Sequence, residues 1–169
     1  MMEESIKAKF KDFMKNLQMP QDGRMMSDGR RVAVKDLVSV VQMLRYSAEN
    51  MSEATVGVVL TRVGSLIVSK EFECLKGTGK KLADSCFENL SIKGWGVFTA
   101  NPEAIGGEVI LKNSAIAQEY AKKGLKVDYI AVGMIATIYE KAFNRKYLVR
   151  EVKCIANGDD ECRFTVRAI

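Results

Sequence analysis

Histidine is missing from all 169 residues of this chain. Its absence excludes Ser-His-Asp and Cys-His catalytic units, histidine-ligated haem and any zinc site that contains histidine. No apolar run reaches the roughly 18 residues that a membrane-spanning helix needs. The N-terminus alternates charged with apolar residues where a signal peptide would have a continuous apolar stretch. We therefore expect a cytoplasmic protein without a membrane span.

Nucleotide-binding loops are also lacking. No Gly-x-Gly-x-x-Gly fingerprint follows a predicted strand, and the nearest phosphate-loop candidate, Gly77 to Lys81, has the wrong spacing. The 26 basic and 21 acidic residues give a net charge of +5, but they are mixed along the chain, which is not typical of a nucleic-acid-binding surface. The sequence shows no arginine cluster that would indicate an anionic ligand. The hydrophobic fraction of 47% is sufficient for the core of one domain.

The first 33 residues differ in pattern from the rest and are interpreted as an N-terminal arm. Apolar residues at helical spacing predict an amphipathic helix over Glu3 to Leu17, followed by tight turns around short strands between Met19 and Val34. Three interpretations of the helix remain open: it packs on its own domain, lies on a membrane surface, or serves as a dimer arm. Residues 34–169 are predicted to form the main domain.

Helical and strand patterns are segregated along the main domain. Ser52 is a predicted N-cap, and Gly57, Thr61 and Gly64 form a stripe of small residues that suits core packing, a subunit contact or a pocket wall. This segregation predicts an α+β fold, with an antiparallel β-sheet packed against helices and a C-terminal β-hairpin. The predicted helices cover Val34 to Ser47, Ser52 to Ser69, Gly79 to Leu90, Ser114 to Lys123 and Val127 to Phe143. The predicted strands cover Trp95 to Thr99, Glu108 to Leu111, Tyr147 to Ile155 and Cys162 to Val166, with Asn157-Gly158 as the hairpin signal.

The C-terminal hairpin carries a candidate metal site. Its geometry places Cys154 opposite Cys162, where two thiolates can share a tetrahedral cation, and Glu151 is near enough to be a third ligand. An offset of three along a regular strand would put Glu151 and Cys154 on opposite faces, so this ligand set requires a bulge near Val152-Lys153. Two other interpretations stay open: a pair of buried apolar thiols and a cross-strand disulfide.

The segment from Tyr147 to Phe164 resembles the closing signature of the 4-vinyl reductase domain family. In that signature a Glu, two further residues, a Cys, a Gly-Asp turn and a second Cys before an aromatic recur, as they do here at Glu151, Cys154, Gly158-Asp159 and Cys162. The resemblance is specific from about residue 128 to residue 166. It implies a compact, dimeric α+β domain similar to subunits of vesicle-tethering complexes and to haem-type nitric oxide sensors. Other relatives are archaeal proteins described as predicted hydrocarbon binders.

The resemblance also implies a ligand set for structural zinc. Carried over residue by residue, the ligands fall on Glu151, Cys154, Cys162 and Asp128, where the family has a further Cys. An aspartate oxygen in place of a sulfur still suits zinc, although Asp128 is equally suited to cap the helix that follows. Cys74 and Cys86 lie outside this scheme and are interpreted as buried thiols.

These features predict a small-molecule binding or sensing domain for an apolar, hydrocarbon-like ligand, with a structural zinc site and no catalytic residues. The expected partners are the ligand, a second copy of the chain and, for any signalling output, a separate protein. Alternatives are an enzyme or accessory factor of tetrapyrrole metabolism, and a ligand-free scaffold. The predicted pocket residues are Trp95, Phe98, Met134, Ile138 and Val149.

Overall fold

The computed structural model of the chain describes residues 2–18, 25–27, 30–32, 46, 51–73, 75–120 and 128–169. Within these ranges the protein has helices, a small three-stranded sheet near the N-terminus and a four-stranded antiparallel sheet. The predicted α+β class is therefore confirmed. None of the helices in the described ranges is both long and apolar enough to cross a membrane.

The N-terminal region begins with helix α1, Met2–Lys15, as its amphipathic pattern predicts. Three short strands follow and pair antiparallel in the order β1-β2-β3: β1 Leu17–Gln18, β2 Met25–Ser27 and β3 Arg30–Val32. An ion pair joins Lys9 of α1 to Glu88 of the main domain. The boundary after residue 33 stays a prediction, and the predicted helix Val34 to Ser47 lies outside the described residues apart from position 46.

Two helices start the described part of the main domain: α2, Glu53–Glu71, and α3, Gly79–Ile92. Ser52 caps α2, because its Oγ accepts a hydrogen bond from the backbone N–H of Thr55 at 3.2 Å. Both starts agree with the sequence prediction, and both helices continue two residues beyond their predicted ends.

The four-stranded sheet consists of β4 Val97–Ala100, β5 Gly106–Lys112, β6 Tyr147–Lys153 and β7 Cys162–Ala168. Its order is β4-β5-β7-β6, so the last strand of the chain lies inside the sheet and β6 forms an edge. Between β5 and β6 the chain forms the short helix α4, Ala117–Tyr120, and the long helix α5, Tyr129–Phe143. The predicted end of the shorter helix, at Gly124, lies outside the described residues.

Helix α5 is the centre of the core and contacts α2, α3 and β6. Its side chains Met134, Ile135 and Ile138 have no solvent exposure. Helix α2 approaches α5 at backbone distance, because Gly64 and Gly133 have no side chains: a Cβ on Gly133 would lie 1.9 Å from the carbonyl oxygen of Thr61. The stripe of small residues on α2 thus packs in the core at Gly64, whereas Gly57 faces a surface cleft.

Candidate metal centre and neighbouring cleft

The C-terminal hairpin brings Glu151, Cys154 and Cys162 together. Their potential ligand atoms, one carboxylate oxygen and two Sγ atoms, all lie within 4.8 Å of one another. Both cysteines are fully buried and Glu151 is 7% exposed. The hairpin therefore assembles a two-sulfur, one-carboxylate cluster away from bulk water.

A β-bulge makes this cluster possible. Glu151 pairs with Phe164 while Lys153 pairs with Arg163, so Val152 is an extra residue on β6 without its own position on β7. The additional residue shifts the alternation of side chains, and Glu151 and Cys154 share a face despite their offset of three. The bulge required by the sequence argument is confirmed.

The connection after β6 holds the two cysteines in place. The strand ends at Lys153, not at the predicted Ile155, because Ile155–Asn157 form a 3-10 turn and Gly158 closes it in the left-handed conformation, with φ of 95°. The Asp159 carboxylate accepts a hydrogen bond from the Cys154 backbone N–H at 2.9 Å. The backbone N–H of Ile155 donates to Cys162 Sγ at 3.4 Å, a contact that favours a thiolate.

Without a cation, the cluster disfavours negative charge. Burial raises the pKa of Glu151 to about 9, and the neighbouring Cys154 and Asp128 add to this effect. A hydrogen bond with Cys154 and burial both raise the pKa of the Cys162 thiol. Glu151 Oε2 accepts a hydrogen bond from the Asp128 backbone N–H at 3.3 Å, whereas Oε1 is buried without a partner. Two sulfurs and an unsatisfied carboxylate oxygen fit a zinc ion, whose charge would satisfy Oε1 and favour the thiolates.

Asp128 lies beside the cluster as the N-cap of α5. Its Oδ1 accepts a hydrogen bond from the Ala131 backbone N–H at 3.3 Å, and its Oδ2 accepts one from the Ser114 hydroxyl. Burial raises the Asp128 pKa to about 6, although the bond from Ser114 opposes the shift. Asp128 is not among the residues whose ligand atoms lie within 4.8 Å of one another. The capping role is thus confirmed, and its role as a zinc ligand stays a prediction.

Ser114 is a member of this arrangement that the sequence analysis did not identify. It is 1% exposed, and its Oγ also accepts a hydrogen bond from the Ala117 backbone N–H at 3.2 Å. The sequence signal was its position at the start of a predicted helix, which marks a cap but gives no indication of the contact with Asp128.

The five predicted pocket residues do not share one location. Phe98, Met134 and Ile138 are buried in the hydrophobic core, and Trp95 is partly buried against it. Val149 is the member of the set that lines a surface cleft. The assignment of the other four to a ligand pocket stays a prediction. Of the two remaining cysteines, Cys86 is buried, and burial raises its pKa to about 11, whereas Cys74 lies outside the described residues.

The cleft has a volume of about 1070 Å³ and lies between α2 and the edge strand β6. Tyr129 lies against Gly57, whose missing side chain leaves room for the ring, and its hydroxyl donates to Glu53 Oε1 at 3.2 Å. Glu151 belongs both to the cleft wall and to the metal cluster, so the two sites are adjacent. The lining residues are Glu53, Ala54, Gly57, Val58, Thr61, Arg62, Ser65, Tyr129, Val132, Val149, Arg150, Glu151 and Asn157.

Comparison with known families identifies the C-terminal part of the chain. The family model of the 4-vinyl reductase domain matches residues 108–168, which confirms the resemblance found in the sequence. Protein MJ1460 of Methanocaldococcus jannaschii is 40% identical over 42 residues, which are 25% of this chain and 25% of that protein. The chain thus matches about a quarter of the length of this relative.

Solved structures with low sequence identity share the fold. The phenol-responsive sensory domain of the transcription activator PoxR, solved with phenol, is similar with a TM-score of 0.75 at 12% identity, over 96% of this chain and 90% of that one. An unliganded Fe(II) H-NOX protein from K. algicida has a TM-score of 0.54 at 12% identity, over 96% and 86%. A trafficking protein particle complex subunit 3 from Naegleria fowleri, covalently bound to palmitic acid, has a TM-score of 0.50 at 13% identity, over 79% and 95%. The predicted likeness to vesicle-tethering subunits and haem-type sensors is confirmed at the level of the fold.

Proposed function

We propose that this chain, whose residues 108–168 match the 4-vinyl reductase domain, binds an apolar small molecule and that zinc stabilises its C-terminal hairpin. The observation that carries the proposal is the cleft between α2 and β6. Its volume of about 1070 Å³ suits a small organic ligand, and Val58, Val132 and Val149 give it apolar walls. Val58 is 72% exposed, so a ligand in the cleft would remove apolar surface from water.

Neighbours with the same fold support this proposal by analogy. The PoxR domain is phenol-responsive, and the Naegleria fowleri subunit carries palmitic acid. Both ligands are largely apolar. Because one fold serves many functions, the cleft of this chain supports the proposal more directly than the fold does.

The proposed zinc ligands are Glu151, Cys154, Cys162 and Asp128. Zinc would supply a structural link between the end of β6 and the start of β7, as four-coordinate sites with thiolate ligands do in other proteins. The residues of this chain orient the ligands: Ile155 donates to Cys162 Sγ, and the backbone N–H of Asp128 donates to Glu151. Such supporting hydrogen bonds tune the affinity of a metal site.

Metal analysis tests the zinc part of the proposal. We expect about one zinc per chain in protein purified without chelator and without a metal-affinity step, measured by mass spectrometry of the metal and of the native protein. The double variant Cys154→Ser, Cys162→Ser should contain none. A folded wild-type protein that contains no metal and takes up none from added zinc would contradict this part.

A second variant isolates Asp128. Asn caps helices as well as Asp does, so Asp128→Asn should keep the start of α5 while removing a charged zinc ligand. We expect weaker zinc binding with an unchanged circular dichroism spectrum. Unchanged zinc affinity would remove Asp128 from the ligand set and leave the other three residues. The native mass in the same experiment tests the proposed homodimer and reveals any copurified ligand or protein partner.

Filling the cleft tests the binding part. A Cβ on Gly57 would lie 3.1 Å from the Tyr129 ring, so a leucine there would occupy the cleft. Val59 is exposed on the same helix and is not among the cleft residues, so Val59→Leu is the matched control. We expect Gly57→Leu to weaken calorimetric binding of 1-octanol about tenfold or more, the equivalent of about 1.4 kcal/mol. Equal binding by both variants would place the ligand elsewhere.

A further inference from the structure

Two arginines distant in sequence meet on the cleft. Arg62 lies on α2 and Arg150 lies on β6, and both are exposed lining residues of the same cavity. In the parts of the chain that the structure describes, neither guanidinium has a hydrogen-bond or ion-pair partner. Arg163 on β7 shows the contrast, because it pairs with Glu108 at 3.0 Å and with Glu161 at 2.6 Å.

The acidic residues of the cleft do not neutralise these arginines. Glu53 accepts a hydrogen bond from the Tyr129 hydroxyl, which occupies it on the α5 side of the cleft. Glu151 is buried and oriented towards the backbone N–H of Asp128 and the two cysteines. The accessible part of the cleft thus presents two unpaired positive charges next to apolar walls.

We propose that the cleft binds an amphiphilic anion, with its carboxylate between Arg62 and Arg150 and its apolar body against Val58, Val132 and Val149. This inference rests on the proposed binding function and specifies the ligand class. Arginine is suited to the role, because its planar guanidinium can donate two parallel hydrogen bonds to a carboxylate. The cleft residues of α2 extend from Glu53 to Ser65, which at 1.5 Å per residue is about 18 Å and is long enough for an acyl chain or an aromatic body.

A pair of probes of equal length separates the charge from the apolar body. Octanoate and 1-octanol are titrated into the zinc-loaded protein by calorimetry, below their aggregation concentrations, with acetate as the probe for the head group alone. A hydrogen bond to a charged group is strong enough that octanoate should bind at least about tenfold more tightly than octanol. Acetate should bind more weakly than octanoate because it has little apolar surface.

Three variants assign the preference to its residues. Arg62→Gln and Arg150→Gln should each weaken octanoate binding about tenfold and leave octanol binding unchanged. Arg167→Gln removes an exposed arginine of β7 that does not line the cleft, and it should change neither. The preference for octanoate should also decrease as salt increases from about 0.05 to about 0.5 M, because surface charges become screened over this range.

The outcomes distinguish this inference from the function on which it rests. If octanol and octanoate bind equally, the anion preference is refuted while the apolar binding function stands. If neither binds, both proposals are refuted. If native mass shows that Arg62→Gln dissociates a dimer and that the wild-type dimer binds no octanoate, the cleft is a contact between copies and the anion proposal is wrong.

Discussion

The close contact between α2 and α5 makes a sharp prediction about two glycines of similar chemistry. Gly133→Ala would place a Cβ 1.9 Å from the Thr61 carbonyl oxygen and 2.8 Å from its carbonyl carbon. Real Cβ contacts are essentially never shorter than 3.0 Å, so the two backbones must separate by about 1 Å. The obstruction is main chain on both sides, and no rotamer change can relieve it.

Gly57→Ala is the matched control. Its Cβ would meet the Tyr129 ring at 3.1 Å, and a partly exposed side chain can move by the few tenths of an ångström required. Both substitutions gain about 1 kcal/mol of helix propensity. Overpacking costs about 1–3 kcal/mol, and a backbone clash belongs at the upper end of that range. We therefore expect Gly133→Ala to destabilise the protein by about 2 kcal/mol net, and Gly57→Ala to be neutral or to stabilise it by up to about 1 kcal/mol.

Urea unfolding followed by circular dichroism measures both values, provided that the slope with denaturant is the same for the variants. For a chain of this size a loss of about 2 kcal/mol should lower the Tm by about 4–8 °C. Gly64→Ala should behave like Gly133→Ala, because its Cβ would lie 2.0 Å from the Ile130 carbonyl oxygen. If Gly133→Ala is as stable as Gly57→Ala, the helices do not approach at backbone distance and the reasoning is wrong.

Two further predictions concern the cluster. The pKa values of Asp128 and Glu151 are raised in the metal-free folded state, to about 6 and about 9, so folding favours their protonated forms. The stability that they contribute is complete below about pH 4 and decreases as pH rises through these values. Urea midpoints of chelator-treated protein should therefore fall between about pH 5 and about pH 9, and Glu151→Gln should flatten the upper part of that profile. A flat wild-type profile would contradict the buried, unpaired carboxylate. Ser114→Ala removes the hydroxyl donor to Asp128 and an acceptor for the Ala117 N–H, and should cost about 1–3 kcal/mol of unfolding free energy, whereas Ser69→Ala on the exposed face of α2 should change it by less than about 0.5 kcal/mol. Equal unfolding midpoints for these two serine variants would show that the buried bond does not contribute.

Local sequence signals predicted much of the fold because they act over one or two turns of chain. Ser52 caps α2 because its hydroxyl reaches the N–H of a residue three positions later, a contact that depends on no other element. The hairpin followed from two β-rich runs and a short connection. Even the bulge at Val152 was predictable, because the alternation of a strand leaves no other way to place Glu151 and Cys154 on one face.

Local reasoning gave the wrong shape for the hairpin connection. The Asn157-Gly158 pair indicated a tight turn, yet the chain makes a 3-10 turn before Gly158. The hydrogen bonds from Cys154 to Asp159 and from Ile155 to Cys162 Sγ stabilise this longer connection. These contacts join main chain to side chains, and dipeptide preferences do not include them.

The sequence by itself determined the α+β class, the caps of the long helices and the three residues of the hairpin cluster, because periodicity, capping and strand alternation are properties of neighbouring residues. Only the tertiary structure decided that Ser114 bonds to Asp128, that Gly64 and Gly133 let two helices touch, and that Arg62 and Arg150 face one cleft. Each of these pairs is separated by a loop or a whole element. Their proximity results from the packing of α2, α5 and β6 around a shared core, which no local pattern encodes.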